Sequence, residues 1–287
     1  MMKPSAAILP CGKRLHLHHG PIDLIIGVDQ NQRVVFEAAI NRFETVLEEL
    51  AGELTALRLP LNERTSCPKG DIAQFMHDAC LPFTKDHFVT RMAAVAGAVA
   101  DEIMLAMRSA ADFKKCYVNN GGDIAIYLEG KQRFVTAMAS HDGVELGRIE
   151  IGANDQISGI ATSGQGGRSH SLGIADSVTV LAETAAKADV AATLIANAVD
   201  IPNHPFIARR PASELSPDSD LGHQLVVVGC GALSLKDQNL AIEKGRAKAD
   251  EFLRNGLIKS AAIFFQDEHR LIGQNNLKIH ERMIQYA

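Results

Sequence analysis

The chain has no tryptophan and only three tyrosines and eleven phenylalanines in 287 residues, too little aromatic surface for the stacking on which single-stranded nucleic acid is bound. Its formal net charge is −5, and its arginines and lysines are scattered rather than striped, so the electrostatic footprint of a nucleic-acid binder is missing as well. No apolar run reaches the length needed to span a bilayer, and the first residues lack the charged-then-apolar pattern of a leader. The expectation is a cytoplasmic protein with no nucleic-acid and no membrane partner. The five cysteines, Cys11, Cys67, Cys80, Cys116 and Cys230, are odd in number and form no CxxC pair. That argues against both a disulfide framework and a thiolate zinc site, and predicts free, buried thiols. A third glycine is also missing from VVVGCGALS, Val226 to Ser234, so the dinucleotide-binding fingerprint is not met there.

What is present is the composition of a soluble globular protein, long enough for one large α/β or α+β domain or two small ones and able to bury a substantial core. Apolar alternation from Ala6 to Val28 predicts two short strands around His19-Gly20-Pro21, with His16 and His18 on one face. From Arg33 to Arg58, Val35, Ala38, Ala39, Phe43, Val46, Leu47, Leu50, Leu54 and Leu57 recur at three- and four-residue spacing, which predicts an amphipathic helix stopped by Pro60. A polar loop and a short helix near Ile72 to Ala79 follow. The run Thr90 to Ala111, TRMAAVAGAVADEIMLAMRSAA, is small and apolar enough to press a helix backbone closely onto a neighbour. Asp101 is the first acid in it, either a surface carboxylate or a buried, hydrogen-bonded one.

Cys116 to Gly130 reads as strand, sharp turn and strand. The turn Asn119-Asn120-Gly121-Gly122-Asp123 is either a plain hairpin or a pair of backbone amides able to bind an anion. Arg133 to Ala139 and Glu145 to Gly152 predict an antiparallel meander. The stretch Ile157 to Val199 predicts a strand ending in Thr162-Ser163-Gly164, a Gly/Ser-rich turn carrying His170, a strand around Ser177 to Leu181, and a helix. That helix places Asp189 and Thr193 four residues apart on one face, where a carboxylate and a hydroxyl can hold a hard cation against a phosphate. Ile201 to Leu221, rich in Pro and Ser, reads as a long surface loop or lid. Strand His223 to Gly231, helix Lys236 to Asn255, strand Ala261 to Gln266 and a final strand or helix to Ala287 complete the chain.

Four of these segments, in this order, resemble the ApbE-like superfamily, whose best-known members are FAD:protein FMN transferases. Thr90 to Asp101 is similar to the family's DLGGIAKGYAVD-type segment and keeps Gly97 and Asp101. Val118 to Ile124 is similar to its VNLGGDI turn, Ile160 to Gly164 to its IATSG strand end, and Ser177 to Val180 with Ala188-Asp189 and Ala192-Thr193 to its SVTV and ADxxAT segments. The resemblance covers about Thr90 to Val199. It implies an α+β, ApbE-like (T-fold-like) fold of antiparallel sheets packed with helices, a single such domain over residues 1–287 with a variable part from about 200. It further implies Mg²⁺ held by Asp189, Thr193 and the carbonyl of Ala93, clamping the pyrophosphate of FAD. Gly97, Asp101, Asn119, Gly121, Gly122, Asp123, Thr162, Ser163 and Gly164 would line the flavin or phosphate pocket.

Two departures stand out. The family lysine of GGIAKG falls on Ala96, and the family's HIxDPxTG segment is replaced by the shorter Gly166-Gly167-Arg168-Ser169-His170-Ser171. In that turn His170 would take the acid/base role and Arg168 the missing positive charge. The sequence is therefore similar to a divergent side branch of the superfamily. The implied function is a Mg²⁺-dependent FMN transferase or FAD-processing enzyme with an acceptor protein. One alternative is a non-catalytic binder of a flavin, pterin or other phosphorylated heterocycle. Another is an assembly partner in a cofactor pathway, whose small-residue helix makes a homodimer interface.

Overall fold

The computed structural model describes residues 3–140, 142–167, 169–273 and 276–279. In chain order the elements are β1 (Ser5–Ile8), β2 (Arg14–His19), β3 (Ile22–Val28), α1 (Gln32–Leu57), α2 (Asp71–Cys80), α3 (Val95–Ala110), β4 (Lys115–Asn120), β5 (Asp123–Leu128), β6 (Arg133–Ala139), β7 (Glu145–Gly152), β8 (Gly159–Ser163), β9 (Ser177–Ala182), α4 (Ala185–Ala198), β10 (Ile207–Pro211), α5 (Ala212–Leu215), β11 (Leu225–Cys230), α6 (Leu235–Arg254), β12 (Ser260–Phe265), β13 (Glu268–Gly273) and β14 (Leu277–Ile279). Helices with antiparallel sheets make this an α+β fold, as expected. No helix among the described residues is long and apolar enough to cross a membrane. The chain divides into two compact units: Met1–Phe134, Ile151–Ala161 and Ala182–Val190 form the first, and Val135–Glu150, Thr162–Leu181 and Ala191–Ala287 the second.

In the first unit, β1 to β5 form a consecutive antiparallel ladder, and the start of β8 joins β5 through Ile124↔Ile160 and Ala125↔Gly159. The period-two pattern turns Leu15, Leu17, Leu24, Ile26, Cys116 and Val118 to the buried face. The long helices α1 and α3 cover the sheet, α1 through Val35, Phe36, Ala39, Phe43, Val46 and Leu50. The N-terminal segment holds three strands rather than the expected two, because Ser5–Ile8 turns back onto β2 although all four of its residues are exposed. His16 and His18 share a face as expected and both lie beside Asp23, at 2.8 and 3.9 Å.

The approach to α3 is held by a buried guanidinium. Arg91, 2% exposed, donates to His77 Nδ1 at 3.2 Å and to the carbonyls of Ala56 and Ser66 at 3.0 and 2.7 Å. It thereby ties the end of α1 and the polar loop to the turn Arg91–Ala94, which leads directly into α3. A charge removed from water needs such saturation of its donors. Burial and this neighbouring cation hold the His77 imidazole below its ordinary pKa.

In the second unit β9, β12 and β13 form an antiparallel sheet. Every residue of β12 is buried, the continuous apolar run of a strand covered on both faces. The greater part of β6 and β7 joins β14 in a separate three-stranded sheet. The expected loop over residues 201–221 keeps its turns at both ends but holds built structure at its centre, residues 207–215. β10 pairs with β11 over five positions, with a bulge between Ala208 and Arg209, and α5 follows. Proline misleads here because Pro211 stands at the end of β10, where a missing donor is tolerated. Arg209 anchors the ribbon through an ion pair with Asp200 and a 2.6 Å hydrogen bond to the Leu172 carbonyl.

The thiols also differ in part from expectation. Cys80 and Cys116 are buried, but Cys11 and Cys67 are exposed and Cys230 is partly so. The two exposed cysteines lie in turns between elements, where no apolar face is available to cover them.

Candidate functional site

The best-formed polar arrangement in the first unit grows from two helix N-termini. A helix leaves its first amides without intrahelical acceptors and concentrates positive potential there. Here each of two helices supplies a carboxylate to the other. Asp189, on α4, accepts the amide of Gly97 in the first turn of α3 at 3.0 Å, and the neighbouring Ala96 amide also supports it. Asp101, on α3, accepts the amides of Ala185 and Ala186 at the start of α4 at 3.1 and 2.9 Å. Thr184 completes that end, its hydroxyl accepting the Lys187 amide at 3.1 Å. Of the two readings its sequence position allowed, Asp101 is the hydrogen-bonded carboxylate, partly buried between the two helices.

Glycine makes the exchange geometrically feasible. A Cβ on Gly97 would fall 2.3 Å from the Ala185 carbonyl oxygen and 2.6 Å from the Ala186 nitrogen, and one on Gly159 would fall 2.0 Å from the Thr184 carbonyl oxygen. Both positions bring two backbones closer than any side chain permits.

The turn between β4 and β5 stands beside this pair. Asn120, buried, donates from Nδ2 to the Ala96 carbonyl at 3.0 Å, tying the turn to the start of α3. Asn119 Oδ1 accepts the Gly122 amide at 2.8 Å. Gly121 and Gly122 have φ of 65° and 114°, the left-handed region that favours glycine, and nothing lies within 4 Å of where a Gly122 Cβ would be. Asp123 follows, close enough to Asp189 for their charges to interact. Ala93 lies in the turn Arg91–Ala94, immediately ahead of the amides that hold Asp189.

The electrostatics are those of an acid cluster. Burial drives the Asp189 carboxyl well above the ordinary carboxylate range. Asp123 and, less strongly, Asp101 push in the same direction, while the Gly97 and Ala96 amides oppose it. Burial likewise raises Asp101 to about 6, against the lowering effect of the two amides and the Thr184 hydroxyl. Negative charge concentrated beyond what the amides neutralise favours a cation. Within this unit the Asp189 carboxylate and the Ala93 carbonyl offer oxygen, the donor type that suits Mg²⁺, while Thr193, one turn further along α4, falls in the second unit. Among the described residues no group of three His, Cys, Asp or Glu side chains forms a metal centre, so such a site would rely on backbone and hydroxyl oxygens and on the ligand itself.

Asp101 gives the fold a measurable pH dependence. Its folded pKa of about 6 exceeds the ordinary unfolded value of about 3.9, so between these limits the folded chain binds the proton more tightly. Its contribution to stability is therefore greatest below about pH 4 and declines as pH rises to about 6, by at most about 3 kcal/mol. Urea unfolding midpoints measured from pH 4 to 7 should show this decline, and Asp101→Asn should flatten it. An equal slope in the variant would assign the effect to other groups.

The remaining candidates lie in the second unit, apart from Arg168, which falls outside the described residues. Thr162 is exposed, with its hydroxyl 3.1 Å from that of Thr179. Ser163 ends β8 and is partly exposed. Gly164 is buried, and a Cβ there would meet the Asp176 carbonyl oxygen at 2.5 Å, a packing reason for glycine at this position. His170 is exposed in the turn before β9. Asn120 and Thr184, absent from the residues singled out by sequence, belong to the constellation. Asn120 was hidden inside a turn-like Asn-Asn-Gly-Gly run, while the Thr184 position just ahead of an apolar helix is a readable N-cap signal.

A family model described as "AbpE bacteria" matches residues 6–274. UPF0280 protein MK0206 of Methanopyrus kandleri is 33% identical over 208 residues, 72% of this chain and 78% of its own length. A UPF0280 protein of Methanothrix thermoacetophila is 33% identical over 183 residues, 63% of this chain and 75% of its own length. Among solved structures, the ApbE protein from Thermotoga maritima matches with a TM-score of 0.51 at 12% identity, covering 91% of this chain and 96% of that one, a likeness of fold. The chain belongs to the AbpE bacteria family and, with its UPF0280 relatives, to a divergent branch of the ApbE-like superfamily.

Proposed function

We propose that this protein is a Mg²⁺-dependent flavin-nucleotide enzyme that cleaves the pyrophosphate of FAD and transfers the FMN moiety to an acceptor protein. The observation that carries the reading is the placement of Asp189 on the first-turn amides of α3, beside Asp123 and the open Gly121–Gly122 turn. In this reading Asp189, Thr193 and the Ala93 carbonyl hold the ion, which supplies charge neutralisation on the pyrophosphate. The Gly121–Gly122 turn brings its backbone close to the nucleotide, and Asn120 fixes that turn against α3. Ser163 and Gly164 offer backbone to the same ligand, Asp123 and Thr162 line its pocket, and Arg168 supplies positive charge. The acceptor hydroxyl attacks the phosphorus on the FMN side and the bond to AMP breaks. His170 removes the hydroxyl proton and AMP departs with the bridging oxygen. The proposed compartment is the cytoplasm.

Incubation with FAD, Mg²⁺ and an acceptor should release AMP in step with flavinylation. His170→Ala should lower the rate at least about tenfold with little change in FAD affinity, in keeping with the usual contribution of general acid–base catalysis. A rate within about twofold of the parent would remove His170 from the mechanism.

One observation favours a second reading, a binder without turnover. Ala96 stands where the family segment carries lysine, and its carbonyl is engaged by Asn120, so this position offers no cation to a phosphate. Saturable, Mg²⁺-dependent quenching of flavin fluorescence with no AMP release would decide for it.

A further inference from the structure

The first unit contains a cleft of about 360 Å³ whose lining excludes Asp189, Asp123 and the Gly121–Gly122 turn. Its walls come from α2, the outward half of α3, β5 and the first turn of α4, and apolar surface is supplied by Phe75, Met104, Leu105 and Tyr127. The Tyr127 ring is fixed by contacts of two kinds. Phe113 packs against it edge-on at 5.4 Å, and the Arg108 guanidinium lies over its face, 4.3 Å from the ring centroid. Stacking of this kind orients a guanidinium while leaving its N–H groups free to bind an acid. Arg108 is exposed at the lip, and among the described residues no carboxylate pairs with it. The other cation of the lining, Lys187, is already paired with Glu183 at 2.7 Å.

Size and charge together define the ligand class. The volume lies at the small end of the range for ligand pockets. Asp78 and Asp101 also line the cleft, and their carboxylates oppose a second negative group, so a diphosphate is disfavoured and a single acidic group on Arg108 is accommodated. We infer that this cleft binds a small aromatic acid, with its ring against Met104, Leu105 and Tyr127 and its one acidic group on the Arg108 guanidinium.

Titration of the full-length protein with the aromatic sulfonate 1-anilinonaphthalene-8-sulfonate, followed by fluorescence, tests this. One saturable site is expected, weakened about tenfold in Arg108→Ala, as for loss of a charge-assisted hydrogen bond, and retained in part by Arg108→Lys. Leu105→Glu, at a half-exposed position one turn before Arg108, would set a carboxylate beside the guanidinium and should weaken the dye at least as much. Both positions are exposed, so melting temperatures and Mg²⁺-dependent FAD binding should stay at parental values, and FAD with Mg²⁺ should not displace the dye. Unsaturable dye binding, equal affinity in Arg108→Ala and Leu105→Glu, or displacement by FAD would each overturn the assignment.

Discussion

Asp189→Ala should abolish Mg²⁺-dependent FAD binding, weakening it at least about 100-fold in calorimetric titration, in line with the loss of a carboxylate that anchors a bound ion. The fold should survive, because two effects of the substitution oppose each other. Losing the carboxylate leaves first-turn amides of α3 without their acceptor, a cap loss of about 1 kcal/mol. Removing it also relieves the repulsion among Asp189, Asp123 and Asp101 that burial aggravates. Asp189→Asn separates the roles, since the amide oxygen can still accept from Gly97 but carries no charge for a cation. If either variant bound FAD with Mg²⁺ as the parent does, the metal assignment would be wrong.

Gly97→Val should be among the most destabilising single changes in the first unit. Its Cβ alone would stand 2.3 Å from the Ala185 carbonyl oxygen and 2.4 Å from the carbonyl carbon, backbone atoms that move only if α4 shifts as a whole. Such a shift would draw the Ala185 and Ala186 amides away from Asp101 and strand a partly buried carboxylate. Overpacking and the lost bonds together should exceed about 3 kcal/mol, lowering the melting temperature by roughly 10 °C in a chain of this size. Gly52→Ala provides the control. It lies within α1 with open space around it, so alanine should be neutral or stabilising by up to about 1 kcal/mol. A thermal melt of Gly97→Val within about 2 °C of the parent would mean that the close helix contact is not essential.

The elements most legible in the sequence were those with strong local periodicity. The spacing of Val35, Ala39, Phe43, Val46 and Leu50 marks α1 within a residue of its ends, and β4–turn–β5 follows from two alternating runs around two glycines. Of the ribbon, β11 was legible as the strand His223 to Gly231, but β10 was not. Its partner lies further along the chain, Ile207 pairing with Cys230, and the prolines and serines around β10 are those of a loop.

The candidate site was legible as separate residues but not as a device. Asp101, Gly97 and Asp189 each attracted notice, whereas the exchange of carboxylates between helices depends on hydrogen bonds spanning 84 to 92 residues. No local pattern encodes such contacts. Asn120 was passed over for the same reason, since its partner is the carbonyl of Ala96, 24 residues earlier. The cleft at Arg108 left no sequence signal, because its residues come from five separate segments and carry ordinary surface chemistry.

Whether the Asp189 cluster receives a cation that in turn receives a flavin pyrophosphate is decided by isothermal titration of the intact parent protein with FAD, once with Mg²⁺ and once after chelation. Saturable binding that requires Mg²⁺ and disappears in Asp189→Ala is the expected result. FAD binding of equal strength with and without the metal, or no binding in either condition, would contradict it.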